Sequence, residues 1–470
     1  MTPIPRLFVG LLMIVAATLT LTSEYLAQSQ IGAMGAAFVA AFVALEWRNL
    51  PGAGRGFAIA ALLLVGVAML SDDPAGLIIT GFERGVFMTA FLIFLGFIRA
   101  AADGSDIVRR CGTFLLSQKP GKRYSAFWTG GTLFGAIISV GSLNLFGSMV
   151  SAANTLESAG GDERVRRTRA QRSTMALLRG FTSSLLWSPM SITLAVVLKS
   201  LPGVPWAPVL SIGAGIALLQ LAMGWLIDRL SFPAPRSGVP VLQSGERWTV
   251  FLFPVLLIAL IFTIGSSLER SADVTLATGV MTGAPLVTIL WLAFQGLRRS
   301  TVSAPVHVVS RLGRFARDVI PNYRMEVTIL STAGFAGAVI AGFLTPEMVA
   351  QTLAWSGTPA FLFPALVIAL VILGGFLGLN AIITVMILGG ALPDPAAFGV
   401  SPVILAVAYL AAWGLTVGSS PVAMSTLIIG NLNQRSGATV GFIWNGWYTL
   451  SGYLAASLVL GIAVSGGAFM

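Results

Sequence analysis

The chain has 470 residues, 56% hydrophobic and 10% charged, with a mean hydropathy of +0.87. Soluble proteins carry about 25% charged residues, so a soluble globular domain is excluded, and the basic residues behind the net charge of +10 sit in short loops, a positive-inside pattern rather than a nucleic-acid footprint. A single cysteine, Cys111, excludes an intramolecular disulfide framework; the single histidine, His307, reads as a solvated residue of a basic loop and disfavours a His-based metal site or enzyme.

Runs long enough to cross about 30 Å of hydrocarbon recur from end to end. Residues 1–30 hold a leading helix near 7–22. It resembles a signal peptide, but Tyr25-Leu26-Ala27 lacks the paired small residues of a cleavage site, so an uncleaved helix is expected. Spans follow at 31–47, 56–71 and 84–99, with Glu83-Arg84 at the mouth of the last. The Gly- and Ser-rich stretch 126–150, with Ser142-Leu143-Asn144 at its middle, reads as a hairpin that returns to its own side. The stretch 174–198 is a helix broken at Ser188-Pro189-Met190-Ser191, and 206–228 closes this half.

After a cytoplasmic linker at 233–246, spans are expected at 248–267, 274–297 and 324–344, with Arg324 and Glu326 opening the third. The stretch 360–392 is too long for one crossing and contains Gly374-Gly375 and Gly378-Leu379-Asn380, so it reads as a second hairpin. Irregular backbone at membrane depth is tolerated only where protein or a cavity surrounds it. A second broken helix at 402–430, around Ser419-Ser420-Pro421, and a span at 438–465 complete the chain.

With the N-terminus inside, eleven crossings and two returning hairpins place all but four of the 28 Lys and Arg on the cytoplasmic side. Arg84, Lys199 and Arg270 fall outside, and Arg179 lies within the membrane. The halves 31–232 and 247–465 repeat the same order of features, start on opposite sides and therefore read as inverted repeats. Matched Gly/Ser/Pro interruptions in such halves are the sequence mark of a transport site. The fold class expected is an all-α polytopic membrane protein of about 11 transmembrane helices plus two re-entrant hairpins, in an inner membrane, with the C-terminus outside.

At these residues the chain resembles the ion transporter superfamily, which includes the divalent anion:sodium symporters and the ArsB/NhaD-type permeases. The resemblance lies in the plan of one leading helix and two inverted repeats, each with a hairpin and a broken helix. The hairpins keep Asn144 and Asn380 without the Ser-Asn-Thr triplet common in that group. The resemblance implies a secondary transporter with Na⁺ as a candidate coupling ion.

Broken helices expose amide groups that favour anions and carbonyls that favour cations, and hydroxyl and amide side chains add neutral oxygens. The candidate substrate- or ion-binding residues are Ser142, Asn144, Ser148, Thr182, Ser183, Ser184, Ser188, Asn380, Thr384, Thr416, Ser419, Ser420 and Ser425. Arg179 joins them, because no acidic residue lies mid-span nearby and a membrane arginine needs a partner, for which a substrate carboxylate or oxyanion is suited; the alternative is that it snorkels towards the cytoplasmic face. The function expected is secondary transport of a small anionic solute coupled to Na⁺ or H⁺. The alternatives are a cation/proton antiporter or efflux permease, and then a membrane enzyme or lipid-handling protein. No catalytic residue, resident metal or cofactor is expected; the partners are the solute and membrane lipids, and a homodimer is compatible with the plan.

Overall fold

A computed structural model describes residues 5–232, 245–297, 304–344, 348, 351, 357–392 and 395–469; the linker expected at 233–246 lies largely outside the described residues, as do Arg236, Arg298 and Arg299. The described residues form an all-helical polytopic membrane protein. Nine helical stretches are long and apolar enough to cross a membrane, and shorter apolar helices accompany them.

The first half contains α1 (Arg6–Leu26), α2 (Ser29–Leu45), α3 (Gly52–Ala68) and α4 (Pro74–Ala102). Helix α4 starts well before the expected 84, because Pro74 suits a first helical turn and Asp73 caps it by accepting from Gly76 N at 3.0 Å. Glu83 and Arg84 therefore lie inside the helix and not at its mouth. The amphipathic α5 (Asp106–Leu116) follows. The hairpin comprises α6 (Pro120–Ile138) and α7 (Gly141–Ala153); the broken helix comprises α8 (Glu163–Trp187) and α9 (Ile192–Ser200). Helix α10 (Trp206–Ser231) closes the half.

The second half runs through α11 (Leu252–Ala272), α12 (Leu276–Leu297), the amphipathic α13 (Ala304–Arg314) and α14 (Arg324–Phe343). Its hairpin is α15 (Phe363–Phe376) and α16 (Ala381–Ala391), its broken helix α17 (Pro402–Ser419) and α18 (Met424–Leu432), and its closing helix α19 (Gly446–Ser465). Helices α5 and α13 had read as basic loops because they are too polar and short to cross a membrane. His307 corrects that reading: it is 6% exposed on α13, packed against Gly296 of α12.

Helices α8 and α17 form the centre. Every residue from Ser173 to Leu186 and from Val403 to Thr416 is buried. Such a helix has no lipid-facing side and is surrounded by other helices. Hairpin helix α6 reaches α8 at backbone contact distance: a side-chain carbon at Gly131 would collide with Leu177 O, and one at Gly180 with Trp128 O. The hairpins also cross over. Helix α7 packs on α18, where Gly147 faces Leu432, and α16 packs on α9, where Ser200 donates to Met386 Sδ.

The polar contacts sort into two ends. Arg6 donates to Asn322, and the ion pairs Arg324–Glu46 (3.0 Å), Arg172–Asp228 (2.6 Å) and Arg110–Glu246 (2.7 Å) join residues that the charge pattern places on one side. Lys199–Glu24 (2.9 Å) joins two residues placed on the other. Along α1, residues 6 and 24 are about 27 Å apart at 1.5 Å per residue, close to a hydrocarbon thickness.

Cys111 reports on the seating of α5. Its Sγ donates to Val250 O at 3.3 Å, and burial pushes the thiol up to about 12. A buried, protonated thiol is unreactive. A maleimide at about pH 8 should leave native Cys111 unmodified and label it after denaturation; rapid labelling of the native protein would unseat α5 from residues 248–251.

Candidate functional site

Both central helices stop at a Ser-Pro pair. The residue before proline is pushed out of the helical region, and Ser188 (φ −77°, ψ 124°) and Ser420 (φ −62°, ψ 130°) are both extended. Proline then denies the next turn its amide.

The two breaks satisfy their loose backbone groups in opposite ways. At the first, serine oxygens accept from amides: Ser188 Oγ from Met190 N and Ser191 Oγ from Leu194 N, each at 3.2 Å. At the second, hydroxyls donate to carbonyls. Ser425 Oγ reaches Val417 O, Thr426 Oγ1 reaches Ser420 O (2.6 Å), and Ser420 Oγ reaches Gly375 O of α15 (2.7 Å). Ala423 sits at the N-cap of α18, and its methyl group cannot accept a hydrogen bond there. Exposure differs as well: residues 188–191 are all buried, whereas Val422 is 57% exposed.

The hairpin tips are also unlike. The second turns at Gly378 (φ +90°), and Asn380 caps α16, its Oδ1 accepting from Ile382 N at 3.0 Å. Leu377 and Leu379 beside it are exposed. Thr384 lies one turn on, and the Gly374-Gly375 approach brings α15 onto Thr384, Thr416 and Ser420. The first hairpin turns at Ser139, a non-glycine residue at φ 50°, ψ −139°. Such a residue is strained. Asn144 therefore falls in the body of α7, exposed together with Ser148, and its side chain forms no hydrogen bond among the described residues. The two asparagines, expected at matching hairpin centres, occupy different positions: one caps a helix, the other projects from its side. Ser142 and Ser148 bond back to Ser139 O and Leu145 O.

Arg179 is 4% exposed, and the protein itself supplies its partners. Nε donates to Asn445 Oδ1 at 2.9 Å, Nη2 to Trp444 O at 3.2 Å and Nη1 to Gly224 O at 3.4 Å, with the Tyr448 ring 4.8 Å away. Hydrogen bonds to a charged group contribute about 1.5–3 kcal/mol each. Three together offset the roughly 2.5–3.5 kcal/mol of inserting an arginine. No carboxylate is needed: neutral protein groups, rather than a substrate anion or the cytoplasmic face, take up the guanidinium here. Asn445 Nδ2 donates in turn to Gly418 O at 2.8 Å, so Arg179 in one broken helix is tied to the last turn of the other. Thr182 and Ser183 bond back to Arg179 O, and Ser183 also reaches Gln220 Oε1 (3.3 Å) and Tyr448. Ser184 and Ser419 bond to their own helices at Phe181 O and Leu415 O, as Thr416 does at Ala412 O.

The structure thus forms two groups. Asn380, Thr384, Thr416, Ser420 and Ser425 gather around the second break, and Arg179, Thr182 and Ser183 join a buried seam with Gln220, Asn445 and Tyr448. Ser188 stays at the buried first break. The last three seam residues went unnoticed in the sequence, although a glutamine and an asparagine within apolar spans were a signal. A mostly apolar cavity of about 1470 Å³ lies elsewhere, between α2, α3, α4 and α14.

No protein-family model matches the chain, and no curated protein does. Among solved structures it is similar to the Alcanivorax borkumensis YdaH transporter, whose crystal structure is described as revealing an unusual topology. Identity is 15% and the TM-score 0.54, over 89% of this chain and 99% of that one. At that identity the likeness shows a shared fold.

The Arg179 bridge makes a measurable claim. Asn445→Ala strands both the buried Nε and Gly418 O, and should cost roughly 2–4 kcal/mol. A clear fall in the melting temperature of the purified protein is the expected result; an unchanged one would show that the bridge holds nothing.

Proposed function

We propose that the chain is a secondary active transporter of a small anionic solute, coupled to Na⁺ or H⁺ and built from two inverted repeats. The observation that carries this reading is the second break: open, uncapped at the start of α18, and bordered by the Asn380 hairpin tip. Its carbonyls are already occupied by hydroxyls, so the groups left for a ligand are amides at the positive end of a helix, which suit a negative charge. The buried first break has its amides occupied instead, which leaves carbonyl oxygens suited to a coupling cation. In this reading Asn380, Thr384 and Ser420 contact or frame the solute. Arg179 positions the two broken helices and does not grip the solute. The shared fold with a transporter supports the class. An antiporter would want a proton-carrying carboxylate at the breaks; the buried carboxylates Asp228 and Glu46 are paired with arginines at helix ends instead.

Uptake of labelled mono- and dicarboxylates and inorganic anions into proteoliposomes, with Na⁺ or pH gradients imposed in turn, tests the reading. Asn380→Ala and Ser420→Ala should each lower uptake per folded protein about tenfold or more, near 1.4 kcal/mol, alongside the modest fall in melting temperature expected from losing a helix cap and a carbonyl partner. Wild-type uptake in both variants would move the solute away from the second break. Sidedness is checked separately: reporters fused after residues 110, 168 and 312 should face the cytoplasm, and one at the C-terminus should face outward.

A further inference from the structure

The apolar cavity of about 1470 Å³ lies away from both breaks, where α2 and α3 scarcely touch. Both helices line it with small residues, Ala40 and Ala44 on α2 and Ala58 and Ala61 on α3. Helix α3 buries just two residues, Gly54 against Leu50 and Met325 near its start and Ala68 beside Phe335 and Val339 at its end. The pair at the matching place in the second half, α11 and α12, is closed instead: a side-chain carbon at Gly279 would collide with Gly265 O. The order of helices therefore does not impose the opening. Leu62, 71% exposed, lines the cavity from α3, so it opens sideways to the bilayer. From Arg324 to Phe335, the first and last lining residues on α14, the helix rises about 17 Å at 1.5 Å per residue. That is close to the roughly 15 Å of hydrocarbon in one leaflet.

The cavity is polar at one end only. Arg6 begins α1, Glu46, Trp47, Arg48 and Asn49 follow α2, and Arg324 begins α14. The charge pattern places the three arginines on the cytoplasmic side, and a tryptophan at that level suits a headgroup region. Charge at this mouth is unbalanced. Glu46, 6% exposed, is taken up by Arg324 Nη1 and Asn49 Nδ2, each at 3.0 Å. Arg6 donates to the neutral Asn322 Oδ1 at 2.9 Å; Asp318, whose field it shares, is held by Arg317 at 3.0 Å. Arg48 is exposed and has no ion pair among the described residues. Arg55 of α3 donates to the carbonyls of Trp47 and Arg48, each at 3.1 Å, which adds a further guanidinium beside the mouth.

We propose that this cavity binds an anionic phospholipid, with an acyl chain along α2 and α3 and the phosphate at Arg48 and Arg6. Depth, lateral opening and excess positive charge at one end fit such a lipid together, and basic pockets between membrane helices hold anionic headgroups. The site is separate from the second break and does not depend on what the protein transports. The test is the melting temperature of the full-length protein in nanodiscs, since a ligand that binds the native state raises it. Discs of phosphatidylcholine are compared with discs of rising phosphatidylglycerol content. Phosphatidylglycerol should stabilise the wild type. Water-soluble glycerophosphoglycerol, the same headgroup without tails, should not. Arg48→Gln should raise the phosphatidylglycerol content needed for half the effect about fivefold. Arg48→Lys should keep most of the response, because a headgroup at a wet mouth is held by charge more than by a planar fork. Arg164→Gln, which removes another exposed cytoplasmic arginine, should leave it intact. Ala40→Phe puts a ring into the apolar part and should abolish the response while the protein still folds in phosphatidylcholine; should it not fold, Ala61→Phe is read by the same criteria. No response to phosphatidylglycerol, an equal response to the soluble headgroup, or an equal loss in Arg164→Gln and Arg48→Gln overturns the site. So does a response that survives the phenylalanine. A response that appears only with a change from monomer to dimer would assign the cavity to a second copy of the chain and overturn the lipid.

Discussion

A helix interrupted inside a membrane leaves amide and carbonyl groups with no water to take them, and each must find a partner within the protein. Much of this structure follows from that constraint. The serines at the first break accept from loose amides, and the hydroxyls at the second donate to loose carbonyls, one of them on a neighbouring hairpin. Such groups stay satisfied only if the hairpins sit close, which explains why α6 approaches α8 at glycine distance and why Gly375 lies under Thr416 and Ser420. The interruptions, the hairpins and the small residues between them form one solution to one problem.

The same constraint accounts for the seam around Arg179. A guanidinium at this depth needs acceptors, and Asn445, Trp444 and Gly224 provide them from two other helices. Asn445 follows a π-helical turn, Thr439–Trp444, and its own amide bonds back five residues to Val440 O. That change of register at the start of α19 brings both the Trp444 carbonyl and the Asn445 side chain to Arg179. Because Asn445 also holds Gly418, the charge, the π-turn and the end of α17 form one connected unit.

Much of this was legible in the sequence. Apolar length identified the spans, and the excess length of 360–392 with its glycines identified a hairpin. The Ser-Pro pairs located both breaks to the residue, because proline's effect on the chain is local. What stayed hidden depended on packing or register. Helices α5 and α13 carry their apolar residues on one face only, so their average polarity resembled that of a loop, and His307 seemed solvated for the same reason. The mismatch between Asn144 and Asn380 turns on where each hairpin bends, at Ser139 and at Gly378, and a strained serine gives no sequence signal of a bend. The partners of Arg179 are neutral and more than two hundred residues away at Asn445, so a search for nearby acids could not find them.

The two breaks are built from the same Ser-Pro pair but finished differently, one roofed and capped at its amides, the other exposed and stitched at its carbonyls. For a carrier whose halves trade places during each cycle, exact symmetry would make its inward and outward forms equal in energy. Here the finishing differs, so exchanging the roles of the halves yields a form with a different set of hydrogen bonds. A carrier of the kind proposed above would then favour one of its two forms at rest, and its forward and reverse rates need not mirror each other.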